Sequence, residues 1–90
     1  MMNPDAAQQR AMITRLRRVE GQVRAVQGMV ERREGCAEIA QQLAAARKAL
    51  DRAFFEMMGC AMTAALDGQA DRKVAKQQAA ELGALLAKYG

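Results

Sequence analysis

Ninety residues carrying a net charge of +4 make one small domain, at the low end of what folds alone. Hydrophobic residues are 51% of the chain but aromatics only 3%, and alanine dominates the apolar count, so each buried side chain removes little area from water. The lack of histidine excludes imidazole-based nickel, cobalt or zinc sites and Ser-His or Cys-His catalysis. No glycine-rich phosphate loop is present either, and the chain reads as a non-enzyme. No apolar run approaches the ~18 residues of a membrane span. Met1 to Asp5 lacks the basic and apolar regions of a signal peptide. The expected compartment is the reducing cytoplasm, where two cysteines point to reactivity or metal binding rather than to a structural bridge.

The only proline, Pro4, leaves the rest of the chain free to be helical. Asp5 is a candidate N-cap for a first helix. Within it, positions 12, 16, 19, 23, 26 and 30 alternate by four and three and are all apolar, the seam of a helix packed on other helices. This helix is predicted to end near Arg33-Glu34, with Gly35 in the left-handed conformation.

A long second helix is predicted from Cys36, with Ile39, Leu43, Ala46, Leu50, Ala53, Met57, Cys60 and Ala64 on its seam. Gly59 interrupts it and calls for close packing or a bend. Asp67-Gly68-Gln69 reads as the exit turn, and a third helix runs from about Asp71 to Lys88, with Val74, Leu82, Leu85 and Leu86 on its apolar side. A long hairpin plus a shorter helix, unable to cover its own seams, predicts an antiparallel bundle shared between chains and an obligate homo-oligomer.

The cysteines stand at opposite ends of the second seam. Twenty-four positions separate Cys36 from Cys60, or roughly 36 Å along one helix. They cannot meet within it. If two copies of the helix pack antiparallel, Cys36 of one chain approaches Cys60 of the other, and a two-fold axis repeats the meeting. Cys36 is the better placed for reactivity, because a helix N-terminus favours an anionic sulfur, with Arg32 and Arg33 adding to the effect and Glu34 and Glu38 opposing it. Cys60 lies among Met57, Met58 and Met62, where a thiol also serves as a small core residue and methionine as flexible filler.

Between Arg10 and Arg33 lie seven arginines (Arg10, Arg15, Arg17, Arg18, Arg24, Arg32 and Arg33) against Glu20 and Glu31. That excess is an electrostatic footprint for a polyanion, with a solvated helix face as the plainer reading.

The stretch Arg15-Leu16-Arg17-Arg18-Val19-Glu20-Gly21-Gln22 resembles the opening signature of the copper-sensitive operon repressor family, which includes metal, formaldehyde and persulfide sensors. The likeness continues through Gly35-Cys36, Gln41-Gln42-Leu43-Ala44-Ala45 and Ala49-Leu50-Asp51-Arg52-Ala53, and spans essentially the whole chain. The resemblance implies an all-α subunit of three helices, an antiparallel four-helix-bundle dimer and a dimer of dimers. Residues 1–90 then form a single domain that binds operator DNA and senses an effector. The family's DNA-contacting basic positions fall on Arg15 and Arg52, with Arg17, Arg18, Gln22 and Lys48 as neighbours on the same surface.

The family's effector thiol matches Cys36, but the sensing site departs from the pattern. Copper-binding members present His and Cys at positions that match Ala61 and Ala65 here, and persulfide sensors keep a second cysteine at the position of Ala65. Cys60 stands one residue before the usual histidine, a rotation of about 100° on a helix. Formaldehyde sensors use an N-terminal proline, whereas Pro4 here follows three residues. The expected function is therefore a repressor released when a small inducer, a persulfide or other electrophile, reacts with Cys36 and Cys60. The alternatives are Cu(I) or another thiophilic metal held by the same two thiols, with no cofactor otherwise required, and a helical scaffold without DNA binding.

Overall fold

The computed structural model describes residues 3–67 and 71–90. It is all-helical among them: α1 (Ala6–Glu31), α2 (Cys36–Asp67) and α3 (Arg72–Tyr89). The exit turn expected at 67–69 falls largely outside the described residues.

Local chemistry sets the ends of α1 and α3. The Asp5 carboxylate accepts the Gln8 N–H at 2.8 Å while the Gln8 side chain accepts the Asp5 N–H at 2.9 Å, a reciprocal capping box. Asp71 caps α3 by accepting the Lys73 N–H at 2.9 Å, and Lys88 lies in its last turn, where a cation suits the helix dipole.

The end of α1 differs from the sequence expectation. The left-handed residue is Arg33, at φ 56°, and Gly35 has no positive φ. The helix stops at Glu31, so the first position beyond its C-cap Arg32 is Arg33. There Arg33 N–H donates to the Val30 carbonyl at 3.1 Å and Glu34 N–H to the Met29 carbonyl at 3.0 Å, the two bonds of a Schellman motif. Gly35 serves the next helix instead, its carbonyl accepting the Ile39 N–H at 3.0 Å. Within the subunit, a Cβ at Gly59 would meet open space.

The four-residue connection Arg32–Gly35 folds α1 back along α2, and α3 packs on α2 alone. The three helices form one layer with extents of 56 × 27 × 13 Å. Its radius of gyration is 17.3 Å, against about 12 Å for a compact domain of this length. Among the described residues, the buried apolar core consists of Val19, Val26, Ala46, Ala53, Ala61 and Leu82.

The predicted α1 seam splits in two. The face toward α2 carries Met12, Arg15, Val19, Gln22, Val26 and Met29, all buried or half-buried. Leu16, Val23 and Val30, predicted to share that seam, are exposed, Val23 by 46% and Val30 by 56%. Leu43 and Leu50 of α2 are likewise exposed by 52% and 51%. The subunit leaves 7067 Å² accessible, where a compact monomer of this mass leaves about 5200 Å². A single layer cannot close its own core.

Candidate functional site

The α1–α2 packing creates the first candidate surface. Arg15, Arg18 and Gln22 follow one another at three and four positions along α1, and Ala49 and Arg52 at three along α2, so each set shares a helix face. The hairpin brings the two faces together around a concavity of about 170 Å³ lined by these five residues. Four of the six residues assigned to DNA binding from the sequence therefore meet in one place. Arg17 and Lys48 are exposed neighbours that do not line this concavity.

An acidic residue that the sequence reading missed organises this cluster. Arg15 Nε donates to Glu56 Oε2 at 2.6 Å, and its Nη2 lies 2.5 Å from Oε1, a side-on bidentate pair joining α1 to α2. The spacing 49, 52, 56 places Glu56 on the Arg52 face of α2, a signal the sequence carried. Gln22 Oε1 is enclosed beside these arginines with no hydrogen-bond partner, an acceptor left over for a guanidinium or a bound group.

The two thiols have unlike settings. Cys36 is exposed as the first residue of α2. Arg32, expected to assist it, is engaged elsewhere: its Nε and Nη2 lie 2.9 and 2.8 Å from Glu34 Oε2. Cys60 is half-buried and opens on a cavity of about 240 Å³ between the start of α1 and the second half of α2. Pro4, Gln8, Ala11 and Met12 form one wall; Glu56, Met57 and Thr63 join Cys60 on the other. Pro4 thus lies beside Cys60, at the opposite end of α2 from Cys36, and no proline of the same chain reaches the exposed thiol.

A family model described as metal-sensitive transcriptional repressor matches residues 8–88. The chain belongs to this family. Comparison with curated proteins gives no match. Among solved structures, the repressor is similar to a single-substitution variant of the formaldehyde-responsive regulator FrmR from Salmonella enterica serovar Typhimurium. The two are 32% identical, with a TM-score of 0.85, over 96% of this chain and 98% of that one. The family and this neighbour are transcriptional regulators, not enzymes.

The family's metal finds few donors at the Cys60 end of α2, where the positions matching the usual ligands lie. Ala61 is buried and offers none, position 65 is also alanine, and the described residues contain no group of three or more His, Cys, Asp or Glu that could hold a metal. No helix among them is long and apolar enough to cross a membrane.

Proposed function

We propose that this chain is the subunit of a cytoplasmic, homo-oligomeric repressor that binds operator DNA and lets go when an inducer reacts with Cys36. The observation that carries the reading is the Arg15, Arg18, Gln22 and Arg52 cluster across α1 and α2, in a chain of the repressor family. Guanidinium forks suit phosphate oxygens, and Arg17 and Lys48 extend the positive field around the concavity. The exposed apolar stripes support assembly through an antiparallel bundle, as a dimer or a dimer of dimers.

The inducer class we favour is a persulfide, polysulfide or other electrophile, because Cys36 is exposed and lacks histidine partners. Cys36 thiolate attacks a terminal sulfur of a polysulfide, gaining one sulfur and displacing the shortened polysulfide anion. In an antiparallel dimer, Cys60 of the partner subunit then attacks the inner sulfur of that persulfide, forming a disulfide and releasing hydrosulfide.

The test is fluorescence anisotropy with DNA from upstream of the gene, before and after polysulfide treatment. Specific, salt-sensitive binding that is lost on treatment, and a Cys36→Ala variant that binds but does not respond, are expected. Absence of specific binding would favour a helical scaffold. A normal response in Cys36→Ala would make that thiol a bystander.

A further inference from the structure

Arg10, Arg17 and Arg24 do not line the concavity between α1 and α2, and among the described residues none of them forms an ion pair. They recur every seven residues, a repeat that drifts by only about 20° per step, so they stand in one row along α1. The row is roughly 21 Å long and turned about 140–180° from Val19, the buried residue that faces α2. All three arginines are exposed. Thr14 and Gly21 fall between them. Thr14 folds its hydroxyl back onto the Arg10 carbonyl at 3.0 Å, and a Cβ at Gly21 would meet open space. Nothing within the subunit calls for glycine there, in a helix interior that glycine weakens. What the row gains is a low backbone between long cations, onto which a broad partner can settle.

Assembly leaves this row outside. Leu16 and Val23 of the exposed apolar stripe each stand one residue before a row position, about 100° away around the helix. Arg24 borders that stripe, lining a concavity with Leu16, Val19 and Val23, but its long stem lets the charged end stay in water. Glu20 lies three residues from Arg17 and four from Arg24 and pairs with neither. The row keeps its positive charge.

We propose that the row is a second, sequence-independent seat for duplex DNA, so that one repressor holds its operator and another DNA segment together. Duplex DNA carries one negative charge per about 1.7 Å of axis, so a length of about 21 Å offers about twelve charges to the three cations. Arginines on a convex helix face meet phosphates, which carry no sequence information. A single duplex does not serve both surfaces. The operator seat includes Arg52 of α2, whereas the row faces away from α2. To reach both, DNA would have to turn around a helix about 10–12 Å thick, although it stays stiff over about 150 base pairs. The proposal rests on the operator reading only for the identity of the first duplex.

The experiment saturates the reduced, full-length protein with a short unlabelled duplex from upstream of the gene. A labelled duplex of scrambled sequence is then added and its anisotropy read from 50 to 200 mM salt. Wild type should take it up, and less tightly as salt rises. Arg10→Gln/Arg24→Gln should keep its affinity for the upstream duplex. For the scrambled duplex, its slope of log K against log salt should fall by about 1.8 per engaged subunit, two cations at about 0.9 each. Wild type then loses about 12-fold more affinity over this range than the variant does. Gly21→Glu enters open space and should leave the fold intact, yet weaken uptake by setting a carboxylate between Arg17 and Arg24. Circular dichroism and sedimentation check the fold and assembly of both variants. Beads carrying the upstream duplex should retain the scrambled one through wild type and less through either variant. Wild-type uptake by the double variant overturns the proposal. So does a parallel loss of affinity for the upstream duplex, because one duplex then straddles α1. If the upstream duplex binds no better than the scrambled one, the operator reading fails, and a slope lost in the double variant still upholds the row.

Discussion

Replacing Arg15 with alanine separates two tasks open to its guanidinium. In the subunit it ties α1 to α2 through Glu56, with the two side chains 34% and 43% exposed. Partly solvated pairs of this kind contribute about 0.5–1 kcal/mol, or about 2–8 °C of melting temperature in a domain this small. Arg15→Ala and Glu56→Ala should lose similar amounts of stability, because either one breaks the same pair. Their effects on DNA should diverge. Arginine has five N–H donors; two go to Glu56, and the remaining three are free for a phosphate. Arg15→Ala takes one cation away from the phosphates in each subunit that engages DNA, so the slope of log K against log salt falls by about 0.9 per engaged subunit. Between 50 and 200 mM salt, wild type should therefore lose about 3.5-fold more affinity per engaged subunit than the variant does. Glu56→Ala keeps the arginine and removes a negative charge near the DNA, so its slope should not fall. Anisotropy titrations at four salt concentrations, with thermal melts of the same samples, give both quantities. If Arg15→Ala and Glu56→Ala weaken operator binding equally and neither changes the slope, Arg15 is a strut between helices and the assigned surface is wrong.

Two further tests address the fold. Arg33→Gly should raise stability by about 1 kcal/mol, because a non-glycine residue held at φ 56° carries that penalty and glycine does not; a lower melting temperature would mean the Arg33 side chain contributes more than its backbone costs. Val23→Glu and Leu50→Glu change residues about half exposed in the subunit, where a surface substitution typically shifts stability within about ±0.5 kcal/mol. Sedimentation should nevertheless show both variants shifted to smaller or unfolded species, and unaltered assembly would mean that these stripes face solvent.

The sequence by itself determined the features whose causes are local. The Asp5 and Asp71 caps, the start of α2 at Cys36 and the helical class follow from neighbours within one turn of chain, so reading along the chain finds them. The same locality brought Arg15, Arg18 and Gln22 onto one face of α1. Even a local feature failed where two rules competed. Glycine preference pointed to Gly35, but α1 ends early enough for the left-handed position to fall on Arg33. Tertiary structure alone decided which stripe of each helix faces its own chain. Two apolar stripes on α1 share Val19 and Val26, and hydrophobicity cannot rank them when Arg15 and Gln22 lend their stems to the inner one. The Arg15–Glu56 pair joins residues 41 positions apart, and Met12 meets the Cys60 cavity across the same pair of helices. Spacing along a helix fixes which side chains stand together, but the side that meets a neighbour depends on how two helices rotate against each other. That rotation is set by packing summed over their whole length.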